Sequence, residues 1–197
     1  MRLPTLIAVL GLCVLAVPFA VAKDVTIQPA HSSAQEQQAK AQLERLLRQY
    51  DLSKYIFTDT VIIEDRAIPH SHPVLTLNTR HLNDDDAALS TFLHEQIHWF
   101  LEARPQQTEA AEKELKNWYP NPPVGPPDGA QNLESDYLHL IVCELEREAD
   151  LKLLGAERTQ AVISFWAGDH YKWVYKTVIA DHERIQALIQ RHNLEIR

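Results

Sequence analysis

His94-Glu95-Gln96-Ile97-His98 sits inside a segment of helical character, with Ala87-Ala88-Leu89-Ser90-Thr91-Phe92-Leu93 before it and Trp99-Phe100-Leu101 after it. Two histidines four residues apart project from one face of a helix, about one turn apart. That spacing lets both imidazoles reach a single metal ion. Zinc is the first choice, because neutral imidazole nitrogens suit it and three protein ligands leave a fourth position for water. Glu95 lies beside the pair, where its carboxylate can take a proton from that water. The competing reading is a helix that carries two histidines on a solvated or buried face for no chemical reason. The apolar flanks favour the metal reading, since a helix at the floor of a cleft is mostly buried.

Two histidines hold zinc poorly, so a third protein ligand is expected downstream. Asn132 to Leu154 has helical periodicity and contains Cys143-Glu144-Leu145-Glu146-Arg147-Glu148-Ala149-Asp150. Glu146 and Asp150 are four apart and share a face. Glu146 can bind the metal, and Asp150 can accept a hydrogen bond from the outer ring nitrogen of a ligating histidine. Rivals stand on the same helix. Glu144 and Glu148 are also four apart, but neither has an aspartate four residues on. His139, seven residues before Glu146, shares its face. Cys143 is near that face and reads more simply as a small buried hydrophobe.

An HExxH stretch followed by a second helix with Glu-x-x-x-Asp resembles the gluzincin metallopeptidases, of which thermolysin is a familiar member. The form Glu146-Arg147-Glu148-Ala149-Asp150 is most similar to the membrane-associated gluzincins of the heat-shock and prenyl-protein-processing type. The resemblance covers only the two motif helices. It implies a zincin-like fold, zinc bound by His94, His98 and Glu146, Glu95 as general base, and Asp150 as hydrogen-bond partner of His94. It also implies a donor to the developing oxyanion from the chain after the third ligand, with His170, Tyr171 and Tyr175 as candidates. By the same resemblance, the strand before the motif helix, Val74 to Asn78, offers its edge to an extended peptide.

Outward from these helices, the chain opens with a positive Arg2, an apolar run from Leu6 to Val17, and small residues Ala20-Val21-Ala22. That pattern is expected of a secretory signal, residues 1–22, cleaved after Ala22, leaving 23–197 as one exported domain, periplasmic or secreted. The apolar run is short for a membrane span. Of the two cysteines, only Cys143 would remain, so no internal disulfide is expected. The formal net charge of −8 argues against nucleic acid and anionic membranes as partners. A peptide or protein substrate is the expected partner.

Ala34 to Tyr50 reads as a helix capped by Ser32 or Ser33, with Leu43, Leu46, Leu47 and Tyr50 as its stripe. Val25-Thr26-Ile27 is a short strand or a loose terminus. Thr60-Val61-Ile62-Ile63 and Pro73 to Asn78 are β-rich. His70-Ser71-His72 between them reads as an exposed loop more readily than a metal pair. Asn83-Asp84-Asp85-Asp86 caps the motif helix and complements its dipole. Thr108 to Trp118 suggests a short helix. Tyr119 to Gln131 holds Pro120, Pro122, Pro123, Pro126 and Pro127, so it is neither helix nor central strand. It forms either a wall or lid beside the cleft or a rigid surface crossover. From Gln160 the chain is helical to about Asn193. The expected fold is therefore α+β: a small N-terminal β-element, the motif helix, and a mainly helical C-terminal half. Two further readings stay open: a non-catalytic protein whose zinc is closed off by His139 as a fourth ligand, and a zinc hydrolase of a non-peptide amide such as a cell-wall bond.

Overall fold

Three short strands, with one helix between the first and second, precede the motif helix, and helices make up most of the rest, giving an α+β fold. The structure is a computed structural model that describes residues 24–197. The expected signal segment therefore lies outside the described residues. Strand β1 (Thr26–Pro29) leads to α1 (Ala34–Gln49), a single 3-10 turn at Ser53–Tyr55, β2 (Thr60–Ile63) and β3 (Leu75–Leu77). Helices α2 (Asp85–Glu102), α3 (Pro105–Trp118), α4 (Leu133–Leu154), α5 (Ala156–Asp169) and α6 (Lys172–Arg191) follow. Among the described residues, no helix is long and apolar enough to cross a membrane.

The strands form one parallel sheet in the order β1-β2-β3, with Ile27 beside Val61 and Val61 beside Leu75. Thr76, in the middle of the edge strand β3, exchanges both backbone hydrogen bonds with His70: its N–H reaches His70 O at 2.8 Å, and its carbonyl accepts from His70 N at 3.1 Å. The outer edge of β3 is thus covered at its centre by the chain's own 67–72 loop. The expectation that Val74 to Asn78 offers a free edge to a peptide is corrected here, because the necessary groups of Thr76 are already paired.

Local sequence explains the helix starts. Ser33 caps α1, accepting from Glu36 N, while Glu36 reaches back to Ser33 N, a complete capping box. Asp84 caps α2 through Ala87 N, and Asn132 caps α4 through Ser135 N. Helix α3 begins at Pro105 rather than Thr108, because proline's fixed φ and missing N–H suit the first helical position. Gly155, with φ +81°, separates α4 from α5, so α5 starts at Ala156 rather than Gln160.

Helix α2 is the centre of the core. Leu89, Phe92, Leu93 and Ile97 are fully buried, as are Leu140, Ile141 and Val142 of α4, against which α2 packs. Each such side chain contributes about 1.5–3 kcal/mol through burial. The variable position Gln96 also has a structural task. Its Oε1 accepts from Phe57 N at 2.7 Å and Thr58 N at 2.9 Å, and its Nε2 donates to Thr58 O at 2.8 Å. The side chain ties α2 to the chain entering β2. The histidines on the same helix are thereby held at a fixed distance from the sheet.

Candidate metal centre

His94 and His98 leave α2 on the face that meets α4, with ring centres 5.1 Å apart. His139 of α4 completes a triangle, 5.5 Å from His94 and 5.1 Å from His98. One ring nitrogen from each of the three lies within 4.8 Å of the others. Burial, reinforced by His94, drops His139 to about 3. His98 is pushed well below its ordinary value by burial first and by His94 and His139 next. Both are therefore neutral imidazoles, the form that binds a metal. Three imidazoles at this spacing could hold a metal ion, and zinc is one that such a donor set suits.

Glu146 is buried on the other side of the His94 ring. His94 Nδ1 donates to Glu146 Oε2 at 2.8 Å, and Tyr175 Oη donates to the same oxygen at 3.0 Å. Ser90 Oγ donates to Glu146 Oε1 at 2.5 Å. Glu146 falls in a second group with His94 and Cys143, not in the group with His98. The expectation that Asp150 partners His94 is corrected as well: Glu146 occupies that place. Asp150 stands one step further back, its Oδ2 at 2.9 Å from Ser90 Oγ. Burial, then the neighbouring Glu146, pushes Asp150 well above the usual carboxylate range. Trp166 Nε1 donates to the same Ser90 oxygen at 3.1 Å. Ser90 is thus the hub of a buried network that the sequence reading missed. Its one signal was a hydroxyl one turn before His94, next to Thr91, in an otherwise apolar stretch.

Glu95 lies at the floor of an open cleft of about 740 Å³, and its carboxylate makes no hydrogen bond to any described residue. Burial raises it to about 7, against the opposing pull of His94 and His70. The cleft is walled by the 67–71 loop, by His81, Trp166, His170 and Tyr171, and by Pro126 and Gly129 of the proline-rich segment. That segment is a fixed wall. Lys172 N and Trp173 N, free donors at the start of α6, bond to Pro127 O at 3.1 Å and Asp128 O at 2.9 Å. A Cβ on Gly129 would meet Pro123 O at 2.1 Å, so only glycine fits there.

The three candidate oxyanion donors separate clearly. Tyr175 is corrected as a donor: it borders the cleft but is almost fully buried, and its hydroxyl donates to Glu146. His170 lines the cleft with Nδ1 at 2.9 Å from Asp169 Oδ2, and Arg80 grips Asp169 through two bonds of 2.6 and 2.8 Å. Since the carboxylate accepts a hydrogen bond from Nδ1–H, Nε2 of the neutral ring carries a lone pair and accepts rather than donates. Tyr171 also lines the cleft, 4.4 Å from the His139 ring, and its hydroxyl has no partner among the described residues. Its backbone is left-handed, φ 47° and ψ 40°, a strained state for a tyrosine and one that clusters at functional sites. Of the loop histidines, His72 stacks on Trp99 at 4.2 Å and bonds Glu102 at 2.7 Å, while His70 lines the cleft. They do not form a metal pair. No family model matches the chain, and neither do any curated protein or any solved structure.

Proposed function

We propose that this chain is a zinc-dependent hydrolase that cuts peptide bonds. The observation that carries the reading is the meeting of His94 and His98 with a third donor from α4 at the floor of an open cleft, with the unpartnered Glu95 carboxylate beside them. The gluzincin resemblance of the motif helices supports the same chemistry. When bound, zinc supplies a Lewis acid that makes water acidic near neutral pH and polarises a carbonyl.

The protein's own groups supply the rest. Glu95 takes a proton from the attacking water and carries it to the departing amine, both within the cleft it faces. The Tyr171 hydroxyl donates to the oxygen on which negative charge develops. His170, held by Asp169 and Arg80, accepts a hydrogen bond from the substrate's N–H or from the incoming water. The carboxylate of Glu146 fixes the His94 ring and its tautomer. The cleft wall carries Ile68, which is 84% exposed, so an extended chain with apolar side chains has surface to meet there.

The test uses a denatured protein mixture incubated with zinc-loaded protein, with new amino termini counted by mass spectrometry. The expected result is cleavage by the wild type and a fall of about 100- to 10,000-fold in Glu95→Gln with zinc retained, as loss of a general base requires. Cleavage at full rate by the variant would sink the role of Glu95. No cleavage by a zinc-loaded wild type would sink the peptidase reading.

A further inference from the structure

We infer that the third zinc ligand is His139, and that Glu146 is the carboxylate that orients His94 rather than a ligand. The inference rests on reading this corner as a metal centre and changes which residues build it. Three observations carry it. The first is grouping: His139 joins both His94 and His98 within 4.8 Å, whereas Glu146 joins His94 and Cys143 but not His98.

The second observation concerns the rings. His94 Nδ1 faces the Glu146 carboxylate at 2.8 Å, and His139 Nδ1 faces the Ser135 carbonyl at 2.6 Å. Carboxylates and carbonyls only accept, so both rings carry their proton on Nδ1. In its neutral form each ring then has its lone pair on Nε2, available to a metal. The outer nitrogen of each is locked in the way that metal-binding histidines usually are.

The third is how Glu146 is already engaged. Ser90, His94 and Tyr175 all donate to its two oxygens. Oε2, the oxygen that meets His94, already accepts two hydrogen bonds, so binding the ion through it would cost one of these partners and leave a buried donor unpaired. His139 needs no such rearrangement. Along α4 the two residues are seven apart, about 10 Å of rise. One helix thus serves both edges of His94, with His139 on the metal side and Glu146 behind.

A long-range proton–nitrogen NMR spectrum of the zinc-loaded wild type tests this without any variant. Three metal-bound histidines are expected, with His94 and His139 protonated at Nδ1 and shifted at Nε2 by the metal. Zinc bound with only two such histidines would overturn the assignment while leaving a metal-dependent enzyme intact. No zinc bound at all would overturn the metal reading itself. Zinc affinity, measured by competition with a chelating indicator, adds a second reading. Glu146→Gln is expected to keep one equivalent with affinity lowered about 10- to 100-fold. His139→Ala is expected to lose stoichiometric zinc and to regain binding when free imidazole is added. The reverse pattern, with zinc lost in Glu146→Gln and kept in His139→Ala, would overturn it.

Discussion

Replacing Ser90 with alanine removes one hydroxyl that three buried groups share and strips two of them. Ser90 is completely buried, and its oxygen meets Glu146 at 2.5 Å, Asp150 at 2.9 Å and Trp166 Nε1 at 3.1 Å. Glu146 keeps two other donors on Oε2. The Trp166 N–H and the Asp150 carboxyl lose the one hydrogen-bond partner each has among the described residues. Two stripped groups at about 1–3 kcal/mol each give roughly 2–6 kcal/mol. Alanine recovers about 0.5 kcal/mol through its higher helix propensity. The expected loss is therefore about 2–5 kcal/mol, against less than about 0.5 kcal/mol for an exposed control such as Ser164→Ala. Urea unfolding in the presence of a chelator reads this without any contribution from bound metal. A loss under about 1 kcal/mol would refute the claim that Ser90 holds the network together. Repeating the titration with zinc is expected to widen the gap, because a loosened Glu146 orients His94 less well.

Two further outcomes follow from the fold. Glu36 is buried, which pushes its carboxyl up, but bonds from Asp65, His31 and Ser33 overcome this and bring it from 4.5 to about 2. A group depressed in the folded state adds stability above its unfolded value and loses it as pH falls through the folded one. The urea midpoint is thus expected to fall between pH 4.5 and about 2, less steeply in Glu36→Gln; identical slopes in the two proteins would contradict the assignment. Gly129→Ala sets a Cβ against Pro123 O and is expected to cost about 2–3 kcal/mol and to loosen the cleft wall, visible as faster amide exchange at Lys172 and Trp173. Unchanged stability there would show that the wall yields.

The parts of this architecture that were legible in sequence are those set by local rules. Capping residues Ser33 and Asp84 start their helices where short polar side chains can meet free N–H groups. The motif helix announced itself through its apolar flanks, and Thr60–Ile63 through β-branched residues. Periodicity also placed His139 and Glu146 on one face of α4. It could not say which edge of His94 each would meet, because that depends on how α2 crosses α4. The cover that His70 lays on Thr76 and the clamp between Arg80 and Asp169 are equally invisible, since both join residues through tertiary packing. Tyr175 shows the same limit: an aromatic in a C-terminal cluster was a candidate donor until packing buried it against Glu146.

Zinc content of the purified wild-type protein, measured before and after exhaustive chelation and again after zinc is returned, tests the central claim most directly. One equivalent per chain is expected, with hydrolysis of denatured protein lost on stripping and restored with the metal. A chain that binds no zinc even after reconstitution, or that cleaves equally well without it, would contradict the account.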